Sequence, residues 1–176
     1  PMVLSLGLPA PLALGTNKVG SMFGSLSSTW SYARRGAVDL RECLPGILLS
    51  ALGGLVGAGT VRPIDPSILR LVIPWLLAGI VIFFVFRPRL GETDRHQRMR
   101  PGVFYAIFGL GLGFYDGFFG PGAGSFWTIA FVMLLGQNFV KAAAHTKAMN
   151  LASNVAALAM FTLNGTVLLW PGLALG

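Results

Sequence analysis

Three long stretches of the chain carry no charged side chain, and this feature constrains the fold more than any other. Residues 43–61, 117–140 and 148–176 contain no Asp, Glu, Lys or Arg. Each is at least as long as the roughly 17–20 residues that a helix needs to cross a bilayer. Only 11% of the 176 residues are charged and 54% are apolar, which excludes a soluble domain with a charged coat. The sequence therefore predicts an all-α, polytopic transmembrane helical bundle.

The polar residues between the apolar stretches indicate where the helices end. Residues 44–61 are expected to form one span, 67–86 the return span, and 138–163 a further helix. The net charge of +7 comes mainly from residues that separate these stretches, which is typical of topology control and not of nucleic-acid binding. The loop 87–100 holds five Arg, and the positive-inside rule predicts that it is cytoplasmic.

A segment rich in Gly and Pro interrupts the apolar region 101–136. Four glycines and one proline within residues 117–124 cannot continue a regular helix. Such a break is tolerated at membrane depth only where protein or a water-filled cavity satisfies the backbone. We expect two half-helices around the break, with free N–H groups near Ser125 that attract an anion. The alternative is a bend that serves only helix packing. Trp127 is expected to face lipid or the interface.

An internal repeat is predicted from residues 13–40 and 142–169, which match at an offset of 129 positions. Each copy is an apolar helix with one polar stripe and one lysine, Lys18 in the first and Lys147 in the second. The stripes comprise Asn17, Lys18, Ser21, Ser25 and Ser28 in the first copy and Thr146, Lys147, Asn150, Ser153 and Asn154 in the second. The first copy ends in two Arg and the second does not, which favours inverted repeats.

The repeat divides the chain into three parts. Residues 1–86 are expected to form the first repeat, 87–100 the cytoplasmic loop, and 101–176 the second repeat. The counterparts of the broken segment and of the first hairpin would fall before Pro1 and after Gly176. The natural chain is therefore expected to be longer at both ends.

Several polar residues lie where an ion path would need them. Asp116 is the only acid outside the polar turns and loop, and a carboxylate at membrane depth usually has a partner or a task. It is a candidate proton-coupling or gating group, or it caps the break or pairs with a lysine. Lys18 and Lys147 are candidate anion-binding cations, or each neutralises an acid or reaches an interface. The predicted substrate-binding residues are Asp116, Gly120, Gly122, Gly124, Ser125, Thr146, Lys147, Asn150, Asn154, Asn17, Lys18 and Ser21.

Three motifs are unusual in their residue pattern: GFYDGFFGPGAGSF at 113–126, KAAAHTKAMNLASN at 141–154 and ALGTNK at 13–18. They resemble the sulfite exporter TauE/SafE family, in particular its YfcA-like branch. The resemblance covers essentially the whole chain. It implies a multi-pass bacterial inner-membrane permease with two related halves that moves sulfite, sulfonates or other small anions. The glycine-rich motif expected in the first half is absent.

The sequence thus predicts a transporter of small anions that works by alternating access around a mid-membrane site. The expected partners are a small anionic substrate and the lipid bilayer, with no nucleic acid and a possible homo-oligomer. No cofactor or metal is expected, because the single cysteine, Cys43, forms no CxxC site. The alternatives are an intramembrane enzyme, which lacks GxSG and HExxH motifs here, and a channel or assembly subunit.

Overall fold

The computed structural model describes residues 10–61, 74–75, 78–83, 85–86 and 91–165. All regular secondary structure within these ranges is helical, which confirms the prediction of an all-α chain. Residues 74–75, 78–83 and 85–86 are helical. The helices with defined bounds are α1 (Ala10–Arg34), α2 (Leu44–Gly59), α3 (Pro101–Phe104, a π-helical turn Tyr105–Gly109, and Leu110–Phe118), α4 (Ala123–Leu134) and α5 (Phe139–Leu163). The break between α3 and α4 is confirmed, but it is narrower than the predicted segment 117–124, because α3 continues to Phe118 and α4 begins at Ala123.

The observed helices agree with the predicted boundaries. α2 coincides with the expected span 44–61, and α5 with 138–163. Asn138 begins α5 in an extended conformation, and its side chain accepts a hydrogen bond from the Lys141 N–H at 3.0 Å. Most of the expected return span 67–86 lies outside the described residues. None of the helices in the described ranges combines the length and apolarity of a membrane span, so the membrane-crossing part of the expectation stays a prediction.

Small residues bring α2 and α3 into backbone contact. A methyl group added to Gly113 would lie 2.8 Å from the Ser50 Cα, and one added to Gly117 would collide with the backbone of Gly54. On its other side, Gly54 packs against α5, where an added methyl would lie 2.7 Å from the Ser153 carbonyl oxygen. The glycines of α2 therefore form a packing surface, which allows three helices to approach at backbone distance.

Aromatic side chains fill the core at the end of the bundle where α3 begins. Trp127, Phe104 and Phe131 are fully buried, and the Trp127 and Phe131 rings stack with centroids 5.5 Å apart. The expectation that Trp127 faces lipid or an interface is wrong for this structure. The reason is that α4 turns this side chain toward Phe104, with ring centroids 6.3 Å apart, and not outward.

α1 and α5 end at corresponding places in the sequence. Their last residues, Arg34 and Leu163, are 129 positions apart. Each is followed by a left-handed glycine, Gly36 with φ +67° and Gly165 with φ +66°. The offset equals that of the predicted repeat. The repeat, its inversion and the three-part division of the chain stay predictions.

The arginine-rich loop is anchored to the start of α5. The Asp94 carboxylate accepts a hydrogen bond from the Asn138 N–H at 2.7 Å and forms an ion pair with Lys141 at 2.6 Å. These contacts hold the described part of the loop, residues 91–100, against the turn between α4 and α5. The loop therefore closes one end of the helical bundle.

Candidate functional site

A buried ion pair lies at the centre of the described structure. The Lys18 ammonium of α1 is 2.7 Å from Oδ1 of Asp116, near the end of α3. Lys18 is 3% exposed and Asp116 is 4% exposed. These residues are 98 positions apart in the sequence, so the packing of α1 near α3 brings them together. One of the two alternatives foreseen for Asp116, pairing with a lysine, is therefore what the structure shows.

The neighbouring helix α5 completes the cluster. Lys18 Nζ donates to the Asn154 side-chain oxygen at 2.8 Å and also to the Asp116 backbone oxygen. The second carboxylate oxygen of Asp116 accepts a hydrogen bond from the Ser153 hydroxyl. We call Lys18, Asp116, Ser153 and Asn154 the ion-pair cluster. It joins three helices, and every member is buried.

The helix break directly borders this cluster. Gly120 has φ +91°, a conformation that side chains disfavour. A methyl group at Gly120 would also lie 3.3 Å from Lys18 Nζ and 3.5 Å from the Asp116 carboxylate. Because glycine has no side chain, Gly120 can adopt this turn and also leaves space for the Lys18 ammonium group. Gly120 thus places the helix break in direct contact with the ion-pair cluster.

The backbone amides of the break are less available than the sequence suggested. Within the first turn of α4, Ala123 N–H donates to the Gly120 oxygen, and Ser125 and Phe126 N–H both donate to the Gly122 oxygen. Three of the first four amides of α4 are therefore bonded within the turn. Gly122 precedes α4 with φ +82°, which turns its carbonyl toward these donors. An anion at this helix start would have to compete with those bonds.

A second group of polar residues lies between α4 and α5. The hydroxyl oxygens of Thr128 and Thr146 are 3.1 Å apart, and Thr128 also donates to the Gly124 oxygen at 2.8 Å. The Asn150 amide nitrogen lies 3.1 Å from the place where a Gly124 side chain would begin. The buried Asn150 side-chain oxygen has no hydrogen-bond partner among the described residues. A buried side-chain acceptor without a partner is uncommon in folded proteins.

The remaining predicted site residues are not hydrogen-bonded to either group. Asn17 is exposed, and Ser21, Ser125 and Lys147 are half-buried. Their side chains form no hydrogen bond or ion pair with a described residue. The assignment of these four to substrate binding stays a prediction, as does that of the residues that the structure brings together.

Two side chains of the site were not among the predicted site residues. Ser153 belonged to the polar stripe of α5, and its place one position before Asn154 was the signal that could have included it. Thr128 had no such signal, because it is one polar residue in an apolar half-helix. Its role becomes visible only when α4 packs on α5 and Thr128 meets Thr146.

The cluster has the electrostatics of a compensated charge, not of an open cation. A lysine ammonium has three N–H donors, and Lys18 has three acceptors, from Asp116 and Asn154. The positive charge of Lys18 is neutralised by Asp116 within the protein. Buried ion pairs are a poor source of stability because desolvation offsets their attraction, so their presence in an apolar bundle calls for another role.

A charged cluster beside a broken helix in a helical bundle is the arrangement expected of a membrane transport protein. A family model described as "Sulfite exporter TauE/SafE" matches residues 1–176. The chain therefore belongs to the sulfite exporter TauE/SafE family.

Curated relatives of the chain are named as membrane transporters. The probable membrane transporter protein ORF9 of Sinorhizobium sp is 45% identical over 176 residues, which cover all of this chain and 67% of that protein. A probable membrane transporter protein of Haemophilus influenzae is 44% identical, over 96% of this chain and 66% of its own length. The probable membrane transporter protein YfcA of Escherichia coli K12 is 41% identical over 96% of this chain and 62% of its own length. The chain thus spans about two thirds of the length of these relatives. No solved structure matches it.

Proposed function

We propose that the protein transports small anions, such as sulfite, a sulfonate or a related anion, by alternating access around the ion-pair cluster. The family and the names of its relatives support a membrane transporter. The observation that carries the proposal is the buried Lys18–Asp116 pair beside the Gly120 break. A cation that three helices hold next to a helix break suits a ligand that is bound and then released on the other side.

The polar groups near the cluster support a path for an anion. The Asn150 amide lies close to the Gly124 backbone, about one turn of α5 after Thr146 and one turn before Asn154. An amide and two hydroxyls can replace part of the hydration shell of an anion without adding charge. Lys147 lies on the same helix, is half-buried and forms no ion pair with a described residue. We therefore place Lys147 on this path as a cation that first attracts the anion.

A flux panel tests the proposed function. The full-length gene product, reconstituted in liposomes, is expected to take up at least one of sulfite, sulfate, a sulfonate or a carboxylate. Uptake should saturate and should accelerate when the same anion is loaded inside, because a carrier exchanges its ligand across the membrane. Absence of flux for every anion in the panel would contradict the proposal. Single-channel conductance would instead identify a pore.

Two lysines of α5 provide a matched pair of variants. Lys147→Met should lower anion flux while membrane insertion stays intact, because it removes the half-buried cation. Lys141→Met is the control, because its side chain is half exposed and paired with Asp94. Equal flux in both variants and the unchanged protein would remove Lys147 from the path.

The proposal includes the orientation of the chain in a bacterial inner membrane, with the loop 87–100 in the cytoplasm. In the described part of the loop, Thr93 is exposed and suits a labelling site. Thr93→Cys is expected to react with a membrane-impermeant thiol reagent only after the cells are opened. Cys43 is fully buried and gives little background. Labelling in intact cells would reverse the orientation.

A further inference from the structure

We propose that Asp116 couples anion transport to proton uptake, because an anion can reach the Lys18 charge only when Asp116 takes up a proton. This inference rests on the proposed function and names what drives it. The proton enters from the side of the membrane from which the anion binds, and it resides on the Asp116 carboxyl group while the anion is bound. Both are then released on the other side. One proton therefore crosses with each monovalent anion.

The first step of the argument is that Lys18 has no spare capacity. Its three donors are directed to the Asp116 backbone oxygen, to Asp116 Oδ1 at 2.7 Å and to Asn154 Oδ1 at 2.8 Å. Both partners of the ion pair are almost completely buried. An incoming anion must therefore take the place of one of the three acceptors.

The second step is that only one of these acceptors can be switched off. The Asp116 backbone oxygen and the Asn154 amide oxygen keep their partial charge at every pH. The Asp116 carboxylate loses its charge when it is protonated, and two anions beside one cation repel each other strongly in a buried site. A proton on Asp116 leaves the Lys18 charge uncompensated and converts the carboxyl group from a competitor into a possible donor.

The third step concerns the other titratable groups around Asp116. α2 and α4 contain no charged or titratable side chain, since their polar side chains are Ser, Thr and Trp. α1 supplies Lys18 to the cluster. α5 supplies the neutral Ser153 and Asn154, while His145 and Lys147 lie eight and six positions before Ser153 on that helix. On α3, the hydroxyl of Tyr115 is engaged with the Pro121 oxygen at 2.6 Å. Asp116 is thus the only acid among the groups that face the Lys18 charge in the described structure.

The decisive experiment measures the binding of an anion that does not itself titrate. Methanesulfonate stays ionised from pH 5 to 8, so any pH dependence belongs to the protein. If one proton binds with each anion, the apparent affinity for methanesulfonate is expected to fall by up to about tenfold for each unit by which the pH is raised. In Asp116→Asn the dependence should disappear, because the amide keeps an acceptor for Lys18 but carries no charge. Affinity at pH 8 should then rise above that of the unchanged protein.

A matched control and a second measurement keep the test decisive. Asp94→Asn removes an acid of the same type that is paired with a lysine but exposed, and it should leave the pH slope unchanged. Proton uptake by the unchanged protein, followed with a trapped pH indicator during methanesulfonate uptake, should equal the anion uptake. This second measurement does not depend on the folding of any variant.

The outcomes separate the two proposals. Methanesulfonate uptake without proton uptake and with a flat pH profile would overturn the coupling while anion transport stands. A pH slope that persists in Asp116→Asn would overturn the role of Asp116. If sulfite, sulfate, sulfonates and carboxylates all fail to bind or cross at any pH, the proposed function fails and the coupling with it.

Discussion

The two ion pairs of the described structure have nearly the same geometry and opposite surroundings. Lys18 and Asp116 are 2.7 Å apart with side chains 4% and 6% exposed, and Lys141 and Asp94 are 2.6 Å apart with side chains 52% and 50% exposed. The first pair joins α1 to α3 inside the bundle, and the second fastens a loop to the start of α5. Water reaches the second pair freely and the first hardly at all.

This contrast shows that distance alone does not define what an ion pair does. In the exposed pair, solvent and salt screen the attraction, and either charge can be rehydrated if its partner is removed. In the buried pair, neither charge can return to water without a change of structure. The exposed pair therefore stabilises only a local contact between a loop and a helix. In the buried pair, the charge state of the site depends on the arrangement of the helices.

The largest effect is expected when one member of the buried pair is removed. Lys18→Met should lower the free energy of unfolding by about 3–5 kcal/mol, because Asp116 is left buried without its cation. Thermal unfolding in detergent measures the loss. Adding Asp116→Leu to Lys18→Met should recover much of it, since no unpaired charge remains. If the Lys18→Met protein were as stable as the unchanged protein, the proposed difference between the buried and the exposed ion pair would be wrong.

A smaller effect is expected for the hydrogen bond that supports the buried carboxylate. Ser153→Ala removes the hydroxyl that donates to Asp116, and hydrogen bonds to charged groups contribute about 1.5–3 kcal/mol. The matched control is Thr162→Ala on the same helix, because this exposed hydroxyl bonds only to the Leu158 oxygen of its own helix. Equal unfolding midpoints for the two variants would show that Ser153 does not stabilise the carboxylate.

The exposed pair should respond to acid and not to neutral pH. The hydrogen bonds from Lys141 and Asn138 hold the pKa of Asp94 below its ordinary value of 3.8. A lowered pKa gives stabilisation that is present above 3.8 and is lost as the pH falls through the lowered value. Hydrogen exchange of the Asn138 amide, which is bonded to Asp94, should therefore show constant protection between pH 5 and 8. Loss of protection already near neutral pH would contradict this assignment.

The smallest effect is expected for removal of the exposed cation. Lys141→Met should leave the unfolding midpoint within the error of the measurement at physiological salt, because screened surface pairs contribute little. Only the exchange of the loop amides should increase. A shift of the midpoint comparable to that of Lys18→Met would remove the distinction between the two pairs.

Much of the local structure could be predicted from the sequence. The start of α5 follows from Asn138 as a helix-capping residue, and the break follows from Gly120 and Gly122, which both adopt positive φ. These features depend on residues that are close in the chain. The π-helical turn at Tyr105–Gly109 was not predicted, because nothing in the sequence distinguishes its one glycine, Gly109, from Gly111 and Gly113, which lie in regular α-helix.

The site could be predicted only as a set of residues and not as an arrangement. Asp116, Lys18 and Asn154 stood out as polar groups in apolar stretches, but their mutual contacts span 98 and 136 positions of sequence. Such contacts depend on how helices pack, which residue periodicity does not specify. Trp127 shows the same limit, since an apolar helix without a polar face gives no indication of which side is buried.

The glycine contacts between α2 and α3 have a mechanical consequence. Where Gly54 and Gly117 meet, backbone lies on backbone, so no side chain can change rotamer to let one helix slide along the other. Backbone contact of this kind favours joint movement of α2 and the second half of α3. The nearest joint is at Gly120 and Gly122, whose torsion angles are free of the limits that a side chain imposes. In the alternating-access cycle that we propose, the motion that exposes Lys18 to one side and then the other would turn at this joint.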